Sequence, residues 1–316
     1  MRPRPIFELE VRHRKIRLGE RTLIMGVLNV TPDSFSDGGR YLAPARAIAH
    51  GIELARQGAD WIDVGGESTR PGSRRVTAEE ELRRVLPVIR GLRRKLRSVP
   101  ISIDTTKAEV AEQALAAGAS IINDASGLRF DSRLAEVARR YRCPLILMHL
   151  RGRPETMQQK GFVHDIWRAV ENGLARSVQR ALAAGVRRSQ LIIDPGLGFG
   201  KSRRQNYEIL AHFGRLQRFG LPLLVGTSRK SFVQAVASGE GLEPVQGRRG
   251  QADYWPLTRQ PGTPQAASLL TADAAAVVAA ILGGAHIVRV HDVAAMLPAI
   301  RIADTLRSVR RASALP

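Results

Sequence analysis

The segment GVRRSQLIIDPGLGFGKSRRQNY, residues 185–207, contains the features that decide the fold. A short apolar run, Leu191 to Ile193, ends in Asp194 and continues into a glycine-rich turn. The end of this turn, Gly200-Lys201-Ser202, resembles the phosphate-binding loop of nucleotide hydrolases, but the first glycine of that loop would fall on Pro195. The spacing therefore favours a strand followed by a turn, with Lys201 as a loop charge rather than a phosphate ligand.

Further apolar runs of this kind recur along the chain, with helix-like segments between them. The eight runs cover residues 22–29, 60–65, 100–105, 120–125, 144–150, 191–196, 222–228 and 286–292. Four of them follow Gly-Ala or Gly-Val, and three begin at a proline. Glycine is typical of a helix end, and proline cannot continue a helix. This repetition predicts an α/β fold, a (β/α)8 TIM barrel.

We expect the barrel to occupy the whole chain, residues 1–316, as a single domain. Residues 1–21 alternate charged and apolar side chains and are interpreted as an N-terminal extension. Residues 238–265 are rich in glycine, proline and charge and are interpreted as a surface excursion after the seventh strand.

The composition indicates a soluble protein. No apolar run approaches the length of a membrane span, and the N-terminus lacks the apolar core of a signal peptide. We therefore expect a cytoplasmic protein with no membrane partner. The single cysteine, Cys143, excludes an intramolecular disulfide, and its apolar surroundings favour a buried structural residue over a nucleophile.

The formal net charge of +20 is large, and of 49 basic residues only six are lysines. Such a charge favours anionic partners and gives non-specific affinity for nucleic acid at low salt. The arginines, however, are spread over helix-like segments such as residues 81–97. This distribution favours a solvated basic surface over a specific nucleic-acid site.

Polar side chains stand at almost every strand end. In a TIM barrel the C-terminal strand ends carry the active site. Single residues of this kind also serve as helix N-caps, but so many on one rim favour an active site. The set comprises Asn29, Asp63, Glu67, Asp104, Asn123, Asp124, His149, Asp194, Ser228 to Ser231, Arg289 and His291.

The motifs at these ends resemble those of the dihydropteroate synthase family. They are, in chain order, NVTPDSFSDGG, GGESTRPG, SIDT, INDASG, DPGLGFGK, GTSRKS and RVHDV. The resemblance extends from about Leu23 to beyond His291, and it implies a transferase of folate biosynthesis. Members of that family condense 6-hydroxymethyl-7,8-dihydropterin diphosphate with 4-aminobenzoate, releasing diphosphate and 7,8-dihydropteroate.

The resemblance also implies a pterin site. Asp194 matches the carboxylate that accepts from the 2-amino group and N3 of the pterin, and Asn123 matches an amide on the neighbouring edge. Asp104 matches the carboxylate facing N8, and Lys230 matches the donor to the O4 and N5 side. A buried carboxylate is suited to such donors because charge-assisted hydrogen bonds are strong.

For the diphosphate, the resemblance implies Asn29, Arg70, Arg289 and His291. Asn29 matches the residue that binds the Mg²⁺ bound to diphosphate, and it is the only metal ligand that we predict. Arg289 and His291 stand two residues apart, so they point to the same side of their strand. For aminobenzoate and the closing loops, the resemblance implies Phe35, Asp37, Ser68, Thr69, Arg70 and Ser231.

In the reaction that the resemblance implies, diphosphate leaves the exocyclic carbon and the aromatic amine adds to it. Asp104 and Lys230 on the pterin, with Arg289 and His291 on the diphosphate, are the residues to which we assign catalysis. No Ser-His-Asp or Cys-His role is assigned, and His149 is as compatible with a packed strand residue as with a functional one. By the same resemblance we expect a homodimer.

Two other classes of protein remain open. One is a pterin-dependent methyltransferase barrel, which shares the pterin strands but needs no diphosphate site. The other is a non-catalytic paralogue that binds pterin or nucleic acid. The intact set of strand-end residues speaks against loss of the site. No segment stands out as long enough for a fused pterin kinase or aldolase, which predicts a single activity.

Overall fold

The computed structural model describes residues 3–31, 42–68, 73, 75–153, 157, 161–239, 241–242 and 264–312. The strands among these residues are β1 Phe7–Val11, β2 Arg14–Leu18, β3 Leu23–Asn29, β4 Trp61–Gly65, β5 Ile101–Asp104, β6 Ile121–Asp124, β7 Leu145–Met148, β8 Leu191–Asp194, β9 Leu224–Gly226 and β10 Ile287–Val290. The α-helices are α1 Leu42–Arg56, α2 Ala78–Lys95, α3 Ala108–Ala117, α4 Arg133–Tyr141, α5 Ile166–Ala183, α6 Arg203–Ala211, α7 Ser231–Ala237, α8 Pro264–Leu282 and α9 Val293–Ala312.

Strands β3 to β10 form one parallel sheet in the order β8-β7-β6-β5-β4-β3-β10-β9. Its two edge strands meet at a parallel bridge between Ile193 and Leu223, and the Ile193 N–H donates to the Pro222 carbonyl at 3.0 Å. The sheet therefore closes on itself, with helices between its strands, as a (β/α)8 barrel. The predicted fold is confirmed, and each predicted run contains one of the eight strands.

The predicted alternation of strand entries has a structural cause. Gly58, Gly118, Gly185 and Gly284 all have positive φ, between 86° and 120°. The N–H of the residue after each of them donates to a carbonyl five residues earlier, as in the pair Ala59 to Leu54 at 3.0 Å. The proline entries behave differently. The carbonyls of Pro100, Pro144 and Pro222 each accept a hydrogen bond at 3.0 Å from the adjacent strand.

Residues 3–21, predicted as an extension, include an antiparallel hairpin of β1 and β2. Leu9, Val11 and Leu18 of the hairpin are buried and pack with the inward side chains near the N-terminal ends of the barrel strands, such as Trp61 and Ile192. The hairpin thus covers the end of the barrel opposite the candidate site. The sequence analysis did not predict this role.

Apolar side chains on the outer face of the barrel strands pack against the helices and form the main core. On the helical side this core includes the buried residues Val85 and Ile89 of α2 and Val277 and Ile281 of α8. The excursion predicted over residues 238–265 was set too long, because α8 begins at Pro264. Residues 240 and 243–263 lie outside the described residues.

Candidate active site

The candidate site is the upper layer of inward-facing side chains in the barrel. Side chains alternate along a strand, so residues two positions apart share a face. On β8, Ile192 belongs to the apolar inner cluster and Asp194 follows it one step toward the C-terminal end. On β10, Ile287 and Arg289 are related in the same way. The barrel interior therefore changes from apolar to polar as it approaches the rim.

Asp63 lies at the centre of this polar layer and is fully buried. Its Oδ2 accepts from Arg289 Nε at 2.6 Å and from Asn123 Nδ2 at 3.0 Å, while Oδ1 accepts from Ser102 Oγ at 2.5 Å. Asp63 thus joins three other strands of the barrel. Asp63 was predicted from the sequence to stand at a strand end but not to bind a substrate, although alternation on β4 places it on the same inner face as Trp61.

Arg289 also donates through Nη2 to Asp104 Oδ2 at 2.8 Å. One guanidinium is therefore shared by two carboxylates, Asp63 and Asp104. Burial raises the pKa of Asp104 above its usual value, Arg289 opposes this rise, and the neighbouring carboxylates, Asp63 first, add to it. Asp63 therefore links Asn123 to Arg289, and Arg289 extends the link to Asp104.

Asn29 ends β3 beside Gly65, its partner in the parallel register, and Gly65 in turn pairs with Asp104. A Cβ on Gly65 would lie 3.8 Å from both Asn29 Oδ1 and Asp104 Oδ2. Glycine here keeps open the space between the predicted metal ligand and the predicted catalytic carboxylate.

Asp194 is buried, and its Oδ1 accepts from the Gly196 N–H at 2.7 Å. Burial raises the pKa of Asp194 to about 6, while the Gly196 hydrogen bond and the cations Lys230, Lys201 and Arg289 oppose the rise. The carboxylate is therefore desolvated within the field of three basic residues. This environment suits a ligand that presents N–H donors.

Lys230 immediately precedes α7, and Ser231 is the first residue of that helix. The Lys230 ammonium lies 4.0 Å from the centroid of the Phe199 ring, a cation–π contact, and it influences Asp194 electrostatically. Lys230 and Asp194, both predicted for the pterin site, therefore influence one another in the structure.

The prediction that Lys201 is a charged loop residue rather than a buried one is wrong, because its side chain is only 2% exposed. Its Nζ donates to the carbonyl oxygens of Gly196 at 2.7 Å, Phe199 at 3.1 Å and His149 at 3.2 Å. This ammonium group therefore faces main-chain acceptors. Burial lowers the pKa of Lys201 to about 7, and Asp194 opposes the shift.

His291 follows β10, and its Nδ1 lies 3.3 Å from Ser228 Oγ. Ser228 Oγ in turn lies 3.4 Å from Asp273 Oδ2 on α8, where Asp273 is buried. His291 is therefore oriented by the loop after β9, whereas Arg289 is oriented by β4 and β5. Arg289 and His291, the two residues predicted for the diphosphate, are therefore positioned by different elements of the barrel.

Ser68 lies in the loop after β4, directly after Glu67. The side chain of Glu67 anchors this loop. Lys107 Nζ contacts Glu67 Oε2 and lies 2.5 Å from Glu81 Oε2, and Glu81 is fully buried. The Ser68 carbonyl accepts from Ser73 Oγ at 2.5 Å. Four predicted site residues, Phe35, Asp37, Thr69 and Arg70, lie outside the described residues.

The surroundings of three other polar or reactive residues indicate structural roles. Asp124 accepts from the Ser126 and Leu128 N–H groups and so closes the turn after β6. His149 is buried beside Gly173 of α5, with a pKa held well below the usual value by burial. Cys143 is buried, as predicted, and burial raises its pKa to about 12.

Two properties of the described residues bear on ligands and membranes. Among these residues, no group of three or more His, Cys, Asp or Glu side chains is arranged to hold a metal ion. Within the same part of the chain, none of the helices combines the length and apolar character needed to cross a membrane.

Comparison with known proteins agrees with this geometry. Residues 25–291 match the family described as pterin binding enzyme. The chain is 45% identical over 288 residues to dihydropteroate synthase of Synechocystis, covering 91% of both chains. It is 40% identical over 287 residues to the Escherichia coli dihydropteroate synthase, covering 91% of this chain and 92% of the relative. The solved structure of Xanthomonas albilineans dihydropteroate synthase with 4-aminobenzoic acid matches with a TM-score of 0.80 at 37% identity, covering 99% of this chain and 100% of that one.

Proposed function

Because the chain belongs to the dihydropteroate synthase family of pterin-binding enzymes, we propose that it makes 7,8-dihydropteroate in folate biosynthesis. The substrates are 6-hydroxymethyl-7,8-dihydropterin diphosphate and 4-aminobenzoate, and diphosphate is released. The observation that carries the proposal is the polar inner layer in which Asp63 joins Arg289 and Asn123, and Arg289 reaches Asp104.

The pterin ring binds in this layer. Asp194 Oδ1 accepts from the Gly196 N–H, which orients the carboxylate, and the 2-amino and N3 donors of the ring bind this same carboxylate. Asn123 is fixed by Asp63 and faces the neighbouring edge of the pterin. Asp104 faces N8, and Lys230 donates to the O4 and N5 side. The burial of Asp194 supports this assignment because a desolvated carboxylate binds N–H donors strongly.

The diphosphate lies toward Asn29, Arg70, Arg289 and His291. Asn29 supplies an amide oxygen, the kind of donor that Mg²⁺ prefers, and the described residues offer no larger acidic cluster. This donor fits a Mg²⁺ that would arrive with the diphosphate, and Asn29 would help to hold it. Mg²⁺ bound there would neutralise part of the charge on the leaving group.

The reaction is a substitution at the exocyclic carbon of the pterin. The bond from carbon to diphosphate oxygen breaks, a bond from carbon to the aminobenzoate nitrogen forms, and the amine releases one proton. Positive charge that develops on the pterin is stabilised by Asp104, while Arg289 and His291 stabilise the departing anion. The aromatic amine is neutral, so the reaction requires no strong base.

Aminobenzoate binds at the mouth of the site, between the loops after β3, β4 and β9. Ser231 contributes from the start of α7, and Ser68 begins the loop that contains Thr69 and Arg70. Phe35 and Asp37, in the segment after β3, are the other two residues that we assign to this substrate. We further propose that the enzyme works as a homodimer in the cytoplasm, where a free thiol such as Cys143 stays reduced.

The decisive experiment incubates the purified protein with both substrates, with and without Mg²⁺, and detects dihydropteroate chromatographically. We expect product only when Mg²⁺ is present. Absence of product, with binding of the free pterin intact, would identify a non-catalytic pterin-binding paralogue. Transfer of a methyl group from a methylated reduced pterin would instead identify a methyltransferase barrel.

A further inference from the structure

Lys201 is a buried cation to which the proposed mechanism gives no part. An ammonium group has three N–H donors, and Lys201 directs them at three carbonyl oxygens, those of His149, Gly196 and Phe199. Burying a charge is costly unless its hydrogen bonds are made. A lysine at this position therefore requires all three acceptors to stay in place around it.

Two of these acceptors belong to residues that also contact the proposed pterin-binding side chains. The Gly196 carbonyl accepts from Lys201, while the Gly196 N–H donates to Asp194 Oδ1 at 2.7 Å. The Phe199 carbonyl accepts from Lys201, while the Phe199 ring lies 4.0 Å from Lys230 Nζ. Lys201 thus connects, through the turn, to both Asp194 and Lys230.

The third acceptor fixes the turn to the barrel. The His149 N–H donates to the Asp194 carbonyl at 2.9 Å, so His149 is paired with the end of β8. Gly196 has φ +66°, and a Cβ at this position would lie 2.2 Å from the His149 carbonyl oxygen. Glycine therefore permits the close approach that brings the carbonyls of Gly196 and His149 to one ammonium group.

We propose that Lys201 is a positioning residue for pterin recognition. Its ammonium group holds the turn over residues 195–200 in the arrangement that presents the Asp194 carboxylate and the Lys230 ammonium to the same ligand. Its charge also favours the ionised carboxylate of Asp194. This inference rests on the proposed function, because it concerns the same pterin site.

The test compares Lys201→Met with the wild-type enzyme by calorimetric titration with 6-hydroxymethyl-7,8-dihydropterin at pH 6.5. We expect the Kd to rise at least tenfold, about the effect of one lost charge-assisted contact. As the pH is lowered from 8 to 5, the variant should lose its affinity for the pterin at a higher pH than the wild type does. The removed cation no longer opposes protonation of Asp194, whose other charged neighbours are Lys230 and Arg289.

Arg4→Met is the matched control. Arg4 is also a buried cation that donates to carbonyl oxygens, those of Gly19 at 3.1 Å and Ala285 at 2.7 Å. It lies in the segment before the hairpin, at the end of the barrel opposite the site. We expect this variant to lower Tm while leaving the Kd for the pterin within twofold of the wild type.

Lys201→Gln keeps two N–H donors without the charge and guards against a methionine variant that fails to fold. We expect it to show the same shift in pH dependence with a smaller loss of affinity. If a folded variant binds pterin with the wild-type Kd and pH profile, Lys201 is only a structural residue and the inference is wrong. If the wild-type protein itself does not bind the pterin, the proposed function fails first, and this inference fails with it.

Discussion

Arg289 Nε lies 2.6 Å from Asp63 Oδ2 inside the barrel, and the same guanidinium reaches Asp104 through Nη2 at 2.8 Å. The cation assigned to the diphosphate and the carboxylate assigned to the pterin therefore belong to one hydrogen-bonded unit. With both carboxylates ionised, the three side chains carry a net negative charge. This charge lies where the proposed reaction develops positive charge on the pterin.

Asp63→Asn tests whether this unit is needed for catalysis. In the wild type, Arg289 and Asn123 both donate to Asp63 Oδ2, so an amide nitrogen at that position would face two donors. We expect kcat/KM to fall about 100-fold, because breaking a buried charge pair costs about 3 kcal/mol or more. Steady-state kinetics with both substrates measure the effect.

Glu171→Gln is the control for loss of a charge. Glu171 forms ion pairs with Arg215 and Arg218 on the outside of the barrel. Such pairs contribute about 0–1 kcal/mol, so activity should be unchanged. Wild-type kinetics for Asp63→Asn would show that Arg289 does not depend on Asp63.

Pterin binding should depend on pH through Asp194. Burial raises the pKa of this carboxyl to about 6, and only the ionised form accepts from both pterin donors. The Asp194 acceptor is therefore ionised above about pH 6, and its contribution to affinity should fall about tenfold per unit as the pH decreases below 6. Calorimetric titration with the free dihydropterin between pH 4.5 and 7.5 measures this.

Asp194→Asn should bind weakly and lack the transition that belongs to Asp194, since an amide does not titrate, and an acid transition that remains belongs to Asp104, whose pKa burial raises to about 7. Equal wild-type affinity at pH 7 and pH 5 would contradict the assignment of Asp194 as the pterin acceptor.

The fold was predictable from the sequence because its signals are local. A glycine before an apolar run, such as Gly118 with φ +120°, is a local signal for a helix end, and Pro144 at the start of an apolar run is an equally local signal for a strand. The hairpin of β1 and β2 was not predicted, because its apolar side chains pack against residues that are distant in the sequence. Leu9 and Leu18 are buried only once the barrel strands have assembled above them.

The site residues were predictable as a set but not in their contacts. Alternation places Asp63, Asn123 and Arg289 on inner faces, but which donor meets which acceptor depends on the closure of the barrel. Lys201 was mistaken for a loop charge because a lysine among glycines is usually solvated. Its burial follows from the approach of Gly196 to the carbonyl of His149, which no sequence spacing reveals.

Lys107 is expected to anchor the loop after β4. It lies 2.5 Å from Glu81, which is fully buried, and also contacts Glu67. Lys107→Met leaves the Glu81 charge unpaired, so we expect a loss of about 3–5 kcal/mol in the free energy of unfolding. The loop holds Thr69 and Arg70, so the KM for aminobenzoate should also rise. Urea unfolding at pH 7 and steady-state kinetics measure the two effects.

The double variant Glu81→Leu/Lys107→Met removes both partners and should recover most of the lost stability, as expected for a coupled pair. The exposed substitution Lys95→Met should change stability by no more than about 0.5 kcal/mol. Simple addition of the two single-variant losses would contradict a direct Glu81–Lys107 coupling.

An apolar stripe on α9 supports the proposed homodimer. Ile302, Leu306 and Val309 recur at helical spacing and are 63%, 48% and 59% exposed. We expect light scattering after size-exclusion chromatography to give twice the chain mass for the wild type and a single chain mass for Ile302→Glu/Leu306→Glu. Leu182→Glu changes an exposed leucine on α5 and should remain dimeric. If the double variant has the mass of the wild type, the dimer forms elsewhere or not at all.

Folding stability should decrease as the pH falls from about 6.5 to 4, in part through His286. The buried ring accepts from the Leu223 N–H through Nδ1 at 3.1 Å, so its Nε2–H is free to donate to the Pro5 carbonyl at 3.1 Å. Burial is the main reason that the pKa of His286 is lowered to about 4. Between these pH values the unfolded chain binds a proton that the folded chain does not, so this histidine contributes a loss of up to about 3 kcal/mol.

Urea unfolding of the wild type and His286→Gln at pH 7.5 and pH 4.5 isolates this contribution. His149 is also buried with a lowered pKa, and it destabilises both proteins equally on acidification. The difference between their pH dependences therefore belongs to His286, and the variant should lose less stability than the wild type. His13→Gln, at an exposed turn position, should retain the wild-type dependence. Equal losses for the wild type and His286→Gln would mean that the ring is protonated in the folded protein. In that case folding would not lower the pKa of His286, and at pH 4.5 the protonated Nδ1 could not accept from the Leu223 N–H.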